Sequence, residues 1–419
     1  MLSRIARCAV FLIALSSPSL AQDLPSSGVV IAIRAEIGVP SPVTAAFSRL
    51  PNGMTNAQCR MHKSTVTLSR NGVPRTFQVL LDPQPGNSSA RPKEMLTVLT
   101  RLQVDLDGSG RAYNPDAPYG RCNPSRTACA LDRLANGGIR VFSGANLTET
   151  PEPDSSLSSG AIGLEPIWQQ MWPLIRDAQI PPIPLTSLYP EAPEKYYVFH
   201  STPKNATVVF NRNIIPSDAR GYPCRHGDNT DHPGYFVAAT TLTRDGPVPD
   251  QNRCKSSLYL DAEQIPFFVI PQGDFGSVNV GDVVVGHFKT GARERLAYGI
   301  VGDTGPHNKM GEGSLFFNRV LFDVFNTPMR EEIETWQADQ SVKDWNADHP
   351  NDRGTISILV LGNTRQYLNN DFSRDNIQAV AAARFALWNQ DSQHPRARLN
   401  ACVSQAAQNP ERTLPDVPH

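Results

Sequence analysis

No stretch of this 419-residue chain holds the roughly 20 consecutive apolar residues needed to cross a bilayer as a helix. A helical membrane span is therefore not expected. The sequence also has no basic excess: 39 Lys and Arg face 40 Asp and Glu. Nucleic-acid binders usually carry a clear positive surplus, so that class is disfavoured. No C-x-x-C pair occurs, which argues against zinc-ribbon and thioredoxin-type chemistry. No G-x-S-x-G elbow is present, so the usual serine-hydrolase arrangement is absent. Neither a phosphate-binding P-loop nor a dinucleotide fingerprint occurs. No cofactor is expected.

What is present begins with an export signal. Arg4 and Arg7 precede a short apolar core, Ala9 to Leu15, and Ser19-Leu20-Ala21 is a small-x-small cleavage site. Residues 1–21 are read as a signal peptide, which predicts a secreted protein, extracellular or periplasmic. Their removal takes two basic residues and no acids. Six of the seven cysteines remain, an even number that reads as disulfides in an exported chain. Six cysteines allow 15 connectivities. Proximity and exclusion suggest Cys122–Cys129, Cys224–Cys254 and Cys59–Cys402. The 36 prolines predict a loop-rich molecule rather than a helical bundle.

Strand-like runs at Val29–Ile33, Ser64–Leu68 and Thr76–Leu81 suggest a small β-rich region over 22–90. Pro, Gly, Ser and Asn between Asp82 and Pro92 read as a linker. A main domain over 91–365 follows, with an insertion at 143–195 that includes a helix over Gly163–Ile175. Strands are predicted at Tyr235–Leu242, Phe267–Ile270, Asp282–Phe288, Leu296–Val301 and Ile356–Leu361. Helices are predicted at Phe316–Phe325 and Asn376–Trp388, the latter with one apolar face. Residues 366–419 read as a C-terminal helix and a polar tail, partly disordered from Asn389. The predicted class is α+β and β-rich, with a compact barrel-like sheet of the double-psi kind.

The chemistry concentrates in Tyr298–Ser314. The apolar run Ala297–Val301 reads as a buried strand that stops at Gly302, with Asp303 next. Glu312 follows nine residues later between Gly311 and Gly313. Two carboxylates at the ends of two ordered elements suit general acid–base work across a cleft. Upstream, Asp105 and Asp107 alternate with apolar residues and point to one face of a strand. Asp107-Gly108-Ser109-Gly110 resembles the start of a calcium loop, but the remaining ligand positions are missing, so no metal is assigned. Cys224–His232 holds two His and two Asp and reads as an anchored surface loop.

Ile300-Val-Gly-Asp-Thr-Gly-Pro-x-x-Lys-x-Gly-Glu-Gly-Ser314 resembles the signature of the glycoside hydrolase family 75 chitosanases of fungi and bacteria. Val104–Asp116, Ala130–Gly138, Gly234–Leu242, Tyr259–Pro271 and Ile358–Asn363 resemble other segments of that family in the same order. The resemblance spans about residues 95–365. It implies endo-hydrolysis of β-1,4 glucosamine polymers with inversion, with Asp303 and Glu312 as the catalytic pair. Glu312 is assigned as general acid and Asp303 as general base. A helix starting at Glu312 would oppose that assignment by lowering its pKa. Where family members carry a Ser-Gln-Thr-Ser type run, this chain has Ala238-Ala-Thr-Thr241. Thr240, Thr241, His307, Asp105, Asp107 and Asp261 are the candidate substrate-binding residues, although Asp261 equally suits a turn cap. Asp116 is a further acid for a cationic cleft. The basic hairpin Val285–Arg295 fits a cationic polymer poorly. The expected partner is a polysaccharide and the expected state a monomer. The alternatives are hydrolysis of another amino-sugar polymer such as peptidoglycan, or a non-catalytic carbohydrate-binding or envelope protein on the same scaffold.

Overall fold

The structure is a computed structural model. It describes residues 59–70, 73–82, 94–99, 102–116, 134, 137–143, 161–184, 196–202, 205–276, 278–289, 294–305, 310–322, 355–389 and 396–407. The signal segment, Val29–Ile33, the Cys122–Cys129 pair and His307 lie outside the described residues.

The described chain is mixed α+β and strand-rich, as expected. Its main body is a nine-stranded sheet. The strands are β1 (His62–Arg70), β2 (Val73–Leu81), β3 (Glu94–Leu99), β4 (Gln103–Asp105), β9 (Phe267–Pro271), β10 (Val283–Lys289), β11 (Glu294–Gly305), β12 (Glu312–Ser314) and β13 (Thr355–Leu361). Their order is β1-β2-β3-β13-β10-β11-β9-β12-β4. Most pairs are antiparallel, but β9–β11 and β4–β12 are parallel. The order has two ends, and no closed barrel is found among the described strands. The β1–β2 hairpin joins this sheet through β3, so the N-terminal strands continue the main sheet.

A second, four-stranded sheet comprises β5 (Arg140–Ser143), β6 (Ile183–Pro184), β7 (Tyr196–Ser201) and β8 (Ala206–Asn211), ordered β5-β8-β7-β6. Helix α1 (Ala161–Arg176) packs on it despite Pro166 and Pro173. Two tryptophans one turn apart, Trp168 and Trp172, stack with ring centroids 5.6 Å apart and are buried. Trp168 Nε1 donates to the Pro115 carbonyl at 3.0 Å, and Trp172 Nε1 to Asp116 Oδ1 at 2.9 Å. Asp116 thus holds a core indole.

Helix α2 (Leu315–Phe322) fixes the strands that carry the candidate acids. Ser314 caps it: Ser314 Oγ accepts from Phe317 N at 3.1 Å and donates to the Ile265 carbonyl at 2.7 Å. Phe317 is fully buried in a cradle of three glycines. A Cβ on Gly286, Gly299 or Gly313 would lie 2.6–3.0 Å from its ring. Side chains there would push the helix off the sheet.

Helices α3 (Arg374–Asn389) and α4 (Ala397–Ala406) cover the other face of the large sheet. The sequence marks everything after Asn389 as a polar tail, yet α4 is ordered and buries Leu399, Cys402 and Val403. Its anchor is the Cys59–Cys402 disulfide, with a Cα separation of 4.6 Å. The Cys224–Cys254 pair is also formed, at 5.0 Å. Among the described residues, no helix is long and apolar enough to cross a membrane.

Candidate functional site

Three strands bring the two candidate acids into one row. Asp303 on β11 pairs with Val269 on β9, and Glu312 on β12 pairs with the same Val269 from the other side. One strand separates them, so their Cα atoms are about 9–10 Å apart. Paired residues share a face of a sheet, so both side chains rise on either side of Val269, which is buried. A Cβ added to Gly305 would lie 3.3 Å from Glu312 Oε2 and 3.2 Å from Val269 Cγ1. Gly305 therefore leaves the room that the Glu312 carboxylate uses.

Asp303 reaches that face through an irregularity. Val301 pairs with Phe268 and Asp303 with Val269, so Gly302 is an extra residue in β11. Regular alternation would turn Asp303 to the same side as Val301, into the apolar cluster with Phe268 and Ile270. The bulge moves it to the other face. Only glycine fits at the bulge: a Cβ on residue 302 would lie 2.5 Å from Phe267 Cβ. The strand does not stop at Gly302, as the sequence suggests, but continues to Gly305.

Asp303 is 7% exposed and strongly oriented. Its Oδ1 accepts hydrogen bonds from Thr241 N at 2.9 Å, Thr241 Oγ1 at 2.5 Å and Thr304 N at 2.7 Å. Among the described residues Oδ2 receives none. Burial pushes the Asp303 carboxyl up to about 6, against the three donors and with help from the Glu312 charge.

Two more acids converge here. Asp105, Asp107 and Asp303 each place one carboxylate oxygen within 4.8 Å of the others. Ser314 pairs with Asp105 on β4, which brings that strand beside Glu312. Asp107 follows the strand end in a turn, and its N donates to Asp105 Oδ1 at 2.9 Å. Asp107 Oδ1 accepts from Tyr113 Oη at 2.7 Å. Burial, then the charges of Asp107, Asp303 and Glu312, hold the Asp105 carboxyl well above its ordinary range. The turn is pressed tightly onto its neighbour. Gly108 has φ +85°, and a Cβ there would sit 1.7 Å from the Leu260 carbonyl oxygen.

The structure separates the remaining candidates. Thr241 touches Asp303, but Thr240 does not line the site. Its hydroxyl is buried, donates to the Leu242 carbonyl at 2.7 Å and accepts from Leu260 N at 3.0 Å. Asp261 caps its own turn: its oxygens accept from Glu263 N at 2.9 Å and Gln264 Nε2 at 2.8 Å. Burial raises its pKa. His307 lies outside the described residues. The predicted strand Tyr235–Leu242 forms no ladder. Its amides go to Tyr113, Cys224, Ile214, Asp303 and Gly302 in turn, four separate segments. The basic end of the β10–β11 hairpin lies nine residues along β11 from Asp303, on the order of 30 Å away. It does not line the site.

Thr304 was not singled out from the sequence. Its amide binds Asp303, and its hydroxyl lies 2.9 Å from that of Thr241. An isolated glycine inside an apolar strand pattern was the available signal for a bulge here. No protein-family model matches this chain, and no curated protein sequence matches it.

Proposed function

We propose that this chain is a secreted glycoside hydrolase that cleaves β-1,4 linkages of a glucosamine polymer with inversion, as its resemblance to the family 75 chitosanases implies. The observation that carries the proposal is the row Asp303–Val269–Glu312. Inverting glycosidases hold their two carboxyl groups roughly 6.5–9.5 Å apart, leaving space for a water. Two acids separated by one strand suit that spacing. The two disulfides favour an oxidising compartment.

Asp303 is the better proton donor, which reverses the assignment made from sequence. A general acid must keep its proton near the working pH, and burial supplies that at Asp303. Three donors on Oδ1 leave Oδ2 as the oxygen that carries the proton. In the reaction, Asp303 Oδ2 gives its proton to the glycosidic oxygen as the C1–O bond breaks. Glu312 takes a proton from the water that attacks C1 from the opposite face. Glu312 sits on β12, before the Ser314 cap of α2, so the helix does not start at Glu312. Asp107 supplies negative charge for the ammonium group of a glucosamine unit, and Asp105, whose carboxyl burial holds toward the protonated form, supplies a polar partner beside it.

Proton NMR of the first products from fully deacetylated chitosan tests this. The expected initial product is the α-anomer at the new reducing end. A β-anomer would rule out inversion, and no product from chitosan with turnover of peptidoglycan would move the substrate.

A further inference from the structure

We propose that the four-stranded-sheet region carries a second site, a pocket for a small monoanionic carboxylate anchored by Arg212. A cavity of about 300 Å³ lies between Pro182, Arg212, the Ser217–Gly221 turn and the Asp250–Arg253 segment. That is the small end of ligand-pocket sizes, roughly 300–1,000 Å³, and suits one sugar-sized molecule rather than a chain. None of its lining residues belongs to the acid row at Asp303.

Three guanidinium groups and two carboxylates line the cavity. The carboxylates already have partners. Arg220 pairs with Asp218 at 3.2 Å, and Arg253 with Asp250 at 2.8 Å. Arg212 has no acid of its own among the described residues. Its guanidinium lies 5.9 Å from the Tyr197 ring centroid, and its Nε is buried without a hydrogen-bond partner. A guanidinium stays charged in proteins and presents donors in a planar fork that matches a carboxylate. One uncompensated positive charge favours a monoanion over a dianion. The walls are pre-built. Asp218 Oδ1 accepts from Arg220 N and Tyr222 N, each at 2.9 Å. The Cys224–Cys254 disulfide ties the segment bearing Arg253 to the chain just after that turn.

Calorimetric titration of the full chain with glucuronate, glucose and sulfate tests the pocket. Saturable glucuronate binding, no glucose binding and weaker sulfate binding are expected. Arg212→Gln should weaken glucuronate binding at least tenfold, with its thermal midpoint checked in parallel. Asp250→Asn should tighten binding several-fold by releasing Arg253; the Asp250 side chain is 82% exposed, so this variant folds. No saturable glucuronate binding, equal binding of glucose, tighter binding of sulfate, or unchanged affinity in both variants would overturn the proposal.

Discussion

Two buried aspartates on the large sheet face the same problem and solve it differently. Asp282 precedes β10 and closes a turn against the end of β13. Its Oδ1 accepts from Thr364 N at 2.8 Å and Arg365 N at 3.3 Å, and its Oδ2 from Asn279 N at 2.8 Å. Both oxygens are occupied, and the residue is 1% exposed. Asp303 receives three donors, all on one oxygen among the described residues. Burial raises both carboxyls. The difference is the second oxygen: at Asp282 it too is held in the turn, whereas at Asp303 no donor among the described residues reaches it.

Paired substitutions separate the two roles most sharply. Asp303→Asn keeps the acceptor oxygen but cannot donate an acidic proton. Its turnover of chitosan should fall by about 10²–10⁴, the usual contribution of general acid–base catalysis. Asp282→Asn should keep wild-type activity per folded molecule and lose about 1–3 kcal/mol of stability, because its new NH₂ faces the Asn279 amide. Urea unfolding alongside reducing-end assays reads both. Equal activity losses in the two variants would erase the distinction.

Stability against pH sharpens the same contrast. Unfolded, Asp303 titrates near 4; folded, near 6. The folded state binds the extra proton between those values, so its stability contribution is full below about pH 4 and is lost as pH rises through 6. Asp303→Asn removes that loss. It should be more stable than wild type at pH 7, by up to roughly 3 kcal/mol, with the gap closing below pH 4. A constant difference at all pH values would show that Asp303 is not buried as described.

The bulge offers a smaller test. Gly302→Ala must displace Phe267, at a cost of about 1–3 kcal/mol. It should also lower activity in the molecules that remain folded, because regular pairing would turn Asp303 toward the core. Smallest of all, Thr241→Val removes one hydroxyl donor from Asp303 Oδ1. Loss of a donor to the carboxylate raises its pKa further, so the pH profile should shift upward with only a modest change in maximal rate. An unshifted profile would remove Thr241 from the account.

Much of this was legible in the chain. Apolar runs bounded by turn residues located β9, β10, β11 and β13, and a 3.6-residue pattern located α2 and α3. Cys59–Cys402 and Cys224–Cys254 were reached by pairing alone. Asp303 and Glu312 were legible as neighbours of turns, but not as members of one row, because register across β9 is a long-range property. Thr240 and Thr241 look equivalent in sequence. They diverge because the segment runs extended without a strand partner, so each hydroxyl meets whichever element lies beside it. Asp116 and Asp261 reveal the same limit: composition marks them as cleft acids, while an indole and a local turn claim them.

The most direct test is the pH dependence of kcat/KM for chitosan cleavage by the full chain. Activity should fall as pH rises through about 6, when Asp303 loses its proton, and Asp303→Asn should lose that limb with its activity. A rate that is flat across pH 6, or that rises through it, would contradict Asp303 as the proton donor of the pair.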